Sequence, residues 1–136
     1  MESSQEYQAQ LMRFRELKEQ RDMFQNQLEF INVSLNNVIN TKKTLENLEE
    51  GVNEDDEILV PIGGHIFVKA IIKDTNKILL AVSQDIVIEK NLEGAIEYLE
   101  KLIEQHNQQI KYLATQIQRS DQALQQISQN FQKSYT

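Results

Sequence analysis

The features of this sequence that could carry chemistry are two histidines, one acidic run and one glycine pair. His65 and His106 lie far apart in the chain, and neither has a second ligand at metal-binding spacing. The chain has no cysteine, which excludes disulfides and thiolate metal sites. The run Glu54-Asp55-Asp56-Glu57 could attract a cation weakly, but it reads as a solvated charged linker. Gly63-Gly64 lacks the spacing of a phosphate-binding loop and reads as a hairpin turn. No Ser–His–Asp set is expected to share one cavity. Neither catalysis, nor a metal, nor a cofactor is expected.

Charge and hydropathy narrow the partners. The formal net charge is −7, from 21 acidic and 14 basic residues. A surface of that sign repels nucleic acid unless a basic stripe offsets it. The basic doublet Lys42-Lys43 is followed at once by Glu46, Glu49 and Glu50, so no nucleic-acid partner is expected. No apolar run approaches the roughly 20 residues of a membrane span, and the first residues, MESSQEYQAQ, lack a secretory signal. The expectation is a soluble, cytoplasmic chain with no membrane partner.

The elements that position these residues follow from the helix breakers. Of four glycines and one proline, only Gly94 falls outside positions 51–64. Stretches 3–50 and 95–136 are therefore free to form one long helix each. Ser3 and Glu6 have the spacing of a capping box at the first helix start. Tyr7, Phe14, Leu17, Phe24, Leu28, Ile31, Leu35 and Val38 form a heptad seam. The phase is then expected to slip, with the seam continuing as Thr41, Leu45, Leu48 and Val52, before Gly51 closes the helix in a left-handed conformation.

In the second helix, with Asn91 as its N-cap, one heptad position reads Ile96, Ile103, Ile110, Ile117, Leu124, Phe131. The other reads Leu92, Leu99, His106, Leu113, Ser120, Ile127, Ser134. The glutamines between 105 and 132 read as a solvated coiled-coil face. If the helices pair at positions totalling roughly 140, Arg21 faces Ser120 and Asp121, a polar layer that fixes register, and His106 faces Leu35.

Between the helices, β-rich runs at 58–62, 66–73, 78–82 and 86–90 are separated by Gly63-Gly64, Asp74-Thr75-Asn76 and Ser83-Gln84-Asp85. Two β-hairpins are predicted. The organisation is thus 1–52 helix, 53–90 β-hairpin insert, 91–136 helix: an α+β chain in which a long antiparallel coiled-coil hairpin carries two inserted β-hairpins.

Neither part is self-sufficient. A helix of about 45 residues is roughly 68 Å long, against a radius of gyration of about 14 Å for a compact chain of this length. Two isolated hairpins cannot enclose a core, and strands apolar on both faces require cover. Ile58, Val60, Phe67, Val68, Ile71, Leu80, Val82, Ile86 and Ile88 are the expected contacts with other subunits, joined through their sheets.

The residues resemble archaeal prefoldin α subunits. The resemblance is carried by Leu59-Val60-Pro61-Ile62-Gly63-Gly64, Phe67-Val68-Lys69-Ala70, Asp74, Lys77-Ile78-Leu79-Leu80, Val87-Ile88-Glu89-Lys90 and Ala95-Ile96-Glu97-Tyr98-Leu99. Two departures stand out: His65 where the family has a small residue, and Ser83-Gln84-Asp85 in place of a Gly-containing turn. The resemblance implies a hexamer of two α and four β subunits, in which the strands complete an intersubunit β-barrel and a second α subunit meets this one at the centre. It also implies an ATP-independent holding chaperone that grips non-native client proteins and delivers them to a group II chaperonin.

Near the tip, Tyr7, Phe14, Ile127 and Phe131 lie on the seam, whereas Leu11, Met12 and Tyr135 lie off it and are better placed for clients. Two alternatives stay open: a structural coil that forms homo-oligomers or filaments, and an adaptor for one specific protein.

Overall fold

The computed structural model describes residues 2–134, with side chains for 4–133. The order is helix α1 (Glu2–Gly51), strands β1 (Glu57–Gly63), β2 (Ile66–Ile71), β3 (Ile78–Ala81) and β4 (Val87–Lys90), and helix α2 (Leu92–Ser134). The expected fold class is the observed one. None of the described helices is long and apolar enough to cross a membrane. The chain divides into two compact units: Met1–Leu35 with Gln105–Thr136, and Asn36–Glu104.

In the first unit α1 and α2 run antiparallel. Tyr7 meets Phe131 edge-on at 5.2 Å between ring centroids. Arg21 meets Asp121, and Ser34 meets His106. As numbers rise on one helix they fall on the other, and the pairs stay close to the expected offset. Leu113, Ser120 and Ile127 are buried, whereas Ile110, Ile117 and Leu124 are only half-buried. The heptad position that carries the polar residues is therefore the deeper one.

In the second unit Leu45, Leu92, Ala95 and Leu99 form the core, with Val38, Leu48, Ile78 and Leu102 packed on it. Asn91 caps α2 as expected: its Oδ1 accepts from the Gly94 N–H at 2.7 Å, and its carbonyl accepts from Ala95 at 3.0 Å. The loop between the hairpins adds a second cap. Asp74 accepts from the Asn76 N–H at 2.8 Å, and Asn76 in turn accepts from the Leu92 N–H at 3.2 Å.

The strands form two separate antiparallel pairs, β1–β2 and β3–β4. Val60 pairs with Val68, and Leu80 with Ile88. Ile78 and Leu80, with Ile88 and Lys90 opposite, are half-buried, and Ile78 reaches the core.

Five local expectations are corrected. The helix already includes Glu2 and Ser3, so Ser3 does not stand ahead of the first turn as a cap must. Gly51 remains helical, and the left-handed residue after it is Asp55, at φ 71°. The seam passes through half-buried Lys42, with exposed Thr41 donating to the Asn37 carbonyl at 2.8 Å. The slip therefore consists of two successive steps of three, 42, 45, 48. A long lysine stem covers apolar surface while its ammonium stays wet, which a pattern of apolar letters does not reveal.

The first hairpin turns at Gly64-His65, with φ 30° and 66°, while Gly63 pairs with Ile66 and Ile62 bulges out. A two-residue turn of this hand needs positive φ at both positions. The acidic run is part of the fold. Asn53 donates to the Asp56 carboxylate at 2.8 Å, and Asp55 and Asp56 exchange backbone hydrogen bonds with Ile72.

Candidate functional site

The first candidate surface is the β insert. Of the nine residues expected at subunit contacts, Val60, Phe67, Val68, Ile71, Val82 and Ile86 are exposed, while Ile58, Leu80 and Ile88 are half-buried. The register explains the exposure. Val60 and Val68 share one face of the β1–β2 pair, and Leu59, Phe67 and Ile71 share the other. A two-stranded sheet with apolar residues on both faces cannot cover either by itself. Leu59, Ile62, Ile66, Leu79 and Val87 are also exposed and were missed. Their signal was the continuous apolar run, which places side chains on both faces of the strand.

The second hairpin closes without a left-handed residue. Among the described residues, only Asp55 and His65 are non-glycines with positive φ, so Ser83, Gln84 and Asp85 turn the chain in ordinary conformations. Val82 donates to the Ile86 carbonyl at 3.0 Å, which extends the ladder past Ala81.

The second candidate surface lies on the helices. Tyr7 is 40% exposed although it touches Phe131, and Met12 is 64% exposed. Phe14 and Phe131 are half-buried and Ile127 is buried, as seam residues are. Leu11, expected off the seam, is half-buried beside Gln10. Tyr135 lies outside the described residues. Missed entirely were Met23, Phe30 and Val33, all exposed, with Phe30 at 75%. At 100° per residue, Met12, Met23 and Phe30 fall on one narrow stripe away from the seam. Phe30 and Ile31 of α1, with Gln109 of α2, line a shallow groove there.

Arg21, Ser34, Lys42 and His106 are engaged across the seam. Arg21 Nε donates to Asp121 Oδ1 at 2.8 Å, and a second guanidinium nitrogen lies 3.5 Å from Asp22. The hydrogen bond to Asp121, then its charge, pushes the Arg21 pKa up. His106 Nε2 and Ser34 Oγ share a hydrogen bond of 2.9 Å, so the polar partner of His106 is the residue next to the expected Leu35. Lys42 Nζ lies 3.4 Å from Glu100 and 3.6 Å from Glu46. Among the described residues no cluster of three His, Asp or Glu side chains could hold a metal.

With this geometry in view, similarity to known proteins is specific. The family model described as prefoldin subunit matches residues 17–136. The prefoldin subunit alpha of Pyrococcus horikoshii is 35% identical over 95 residues, covering 70% of this chain and 64% of that protein. That of Methanococcus maripaludis is 30% identical over 103 residues, covering 73% of this chain and 71% of the other. The chain spans just under two thirds of the Pyrococcus horikoshii protein and 61% of the Thermococcus onnurineus one. Among solved structures, filamentous PFD from Methanocaldococcus jannaschii, determined by cryo-electron microscopy, shares the fold. Its TM-score is 0.60 at 21% identity, covering 90% of this chain and 94% of that one. The chain belongs to the prefoldin family, on its α-subunit branch.

Proposed function

We propose that this chain is a subunit of an ATP-independent holding chaperone. One observation carries the reading: the folded chain leaves large apolar side chains uncovered in two places, the hairpins and the helices. The hairpin residues serve assembly. Their strands are apolar on both faces and have open edges, which another chain completes. Four β-class subunits and a second α subunit supply that cover, and the strands close as a β-barrel.

The helical residues serve binding. A non-native client exposes apolar segments of no fixed sequence, and a holder meets them with adaptable side chains acting together. Methionines suit this task, and Met12 and Met23 with Tyr7 and Phe30 supply such a surface. Tyr7, Leu11, Met12, Phe14, Ile127, Phe131 and Tyr135 form the tip site, with Phe14, Ile127 and Phe131 reaching a client as helix ends open. The client then passes to a group II chaperonin. No reaction and no cofactor take part, and the setting is the cytoplasm.

The test is native mass measurement of the chain with a β-class subunit, followed by aggregation of an unfolded client. A hexamer that suppresses aggregation at stoichiometric amounts is expected. A hexamer without suppression removes the holding role.

A second reading is favoured by one observation, the likeness in fold to a filamentous protein. The uncovered hairpins would then pair with copies of this chain. Size measurement of the chain alone separates the two: growth into large species without a partner supports self-assembly, and growth only on adding partner excludes it.

A further inference from the structure

A seam of evenly spaced apolar residues does not define its own offset. Ile96, Ile103, Ile110 and Ile117 repeat every seven residues on α2, so moving α1 along by seven presents almost the same surface. The polar pairs are what differ between offsets. Arg21 finds Asp121 at 2.8 Å beside buried Ser120, Ser34 finds His106 at 2.9 Å, and within the other unit Lys42 finds Glu100 at 3.4 Å. Each pair joins α1 to α2.

We infer that these three polar layers together lock the pairing of α1 with α2 to one offset and one pair of facing sides, at a cost in stability. A shift of seven residues puts Arg21 opposite Ala114 or Ser128, and Ser34 opposite Leu99 or Leu113. The same shift puts Lys42 opposite Glu93 or Asn107, so a replacement partner exists in one direction for one layer only. The guanidinium of Arg21 would lose its carboxylate on the opposite helix, and the Ser34 hydroxyl would face leucine, both unfavourable in a partly desolvated setting. Apolar residues at these positions would hold the helices more tightly and discriminate less between offsets. The covalent link through the hairpins restrains offset near Leu45 and Leu92. Arg21 and Asp121 lie more than twenty residues further along each helix, where a second restraint is required.

The absence of cysteine makes the test direct. Cysteine pairs are introduced into the full chain at Ile31 and Ile110, which the flanking layers place at the same level, and at the shifted combinations Ile31 with Ile103 and Ile31 with Ile117. Disulfide formation is measured under equilibrium thiol exchange in the parent and in a chain carrying Arg21→Leu, Ser34→Ala, Lys42→Leu, His106→Leu and Ser120→Leu. The parent is expected to bridge 31 with 110, and the layer-free chain to raise the ratio of shifted to native bridging at least tenfold while keeping its helicity. An unchanged ratio overturns the inference.

Single-layer variants serve if the fivefold variant does not fold, and each is expected to raise the ratio part-way. The exchanged chain Arg21→Asp with Asp121→Arg keeps a layer at the same level and should retain native bridging. Slippage in that chain would also overturn the inference.

Discussion

The Asn91 side-chain oxygen that caps α2 lies 2.7 Å from the Gly94 nitrogen, and a methyl group on Gly94 would stand 2.8 Å from that same oxygen. The cap and the glycine depend on each other. Asn91→Ala should cost about 1 kcal/mol of stability. Gly94→Ala alone should be near neutral, because a helix-propensity gain of about 1 kcal/mol is offset by displacing the Asn91 side chain. In the Asn91→Ala background the same change should stabilise by about 1 kcal/mol. Urea unfolding of the four chains measures this, and simple additivity would show the two residues to be independent.

His65 occupies the second position of the β1–β2 turn at φ 66°. A left-handed conformation costs an L-residue roughly 1–2 kcal/mol, less for His than for a β-branched residue. His65→Gly should therefore raise the thermal midpoint of the assembled protein, and His65→Val should lower it. A His65→Val chain as stable as the parent would show that the turn has another shape.

Lys42 and Thr41 are neighbours with opposite expectations. Lys42→Leu, at a half-buried seam position, should be neutral to stabilising by up to about 1 kcal/mol despite the loss of its ion pairs, which are partly exposed and weak. Thr41→Leu, on the exposed side, should change stability by less than about 0.5 kcal/mol. The reverse order would return the seam to Thr41.

Val68 is 46% exposed in the isolated chain and pairs with Val60. Val68→Asp should leave the fold of the protomer intact, as read by circular dichroism, yet abolish the hexamer, because assembly would bury an unpaired carboxylate. An intact hexamer on native mass measurement would place that face outside the subunit contact.

Removing residues 1–14 and 124–136 should abolish client capture and leave assembly intact. Met12→Ser, which alters an exposed side chain, should weaken capture about fivefold, the equivalent of roughly 1 kcal/mol of lost apolar contact, without changing stability. Phe30→Ser should do the same if capture extends along α1, and capture unaffected by both changes would move the site elsewhere. Client co-sedimentation at fixed subunit concentration reads all three.

Most of the architecture was legible because it rests on local, periodic signals. A breaker-free stretch with a heptad of Ile and Leu has one low-energy outcome, an α-helix with a seam. Asn91 before a helical run has one obvious use. The two hairpins were visible from apolar runs divided by turn residues, and the antiparallel offset followed from the similar lengths of the helices. Arg21 facing Asp121 confirms that offset.

What only the tertiary structure decided is where side chains bend local rules to meet a neighbour. Lys42 lies in the seam with Glu100 across it, and Ser34 holds His106 from the opposite helix. Ile62 bulges so that Gly64 and His65 take the turn, and Asp55 turns left-handed where it meets Ile72. All but the turn depend on a partner distant in sequence, and a pattern read along one chain carries no term for the residue on the other side.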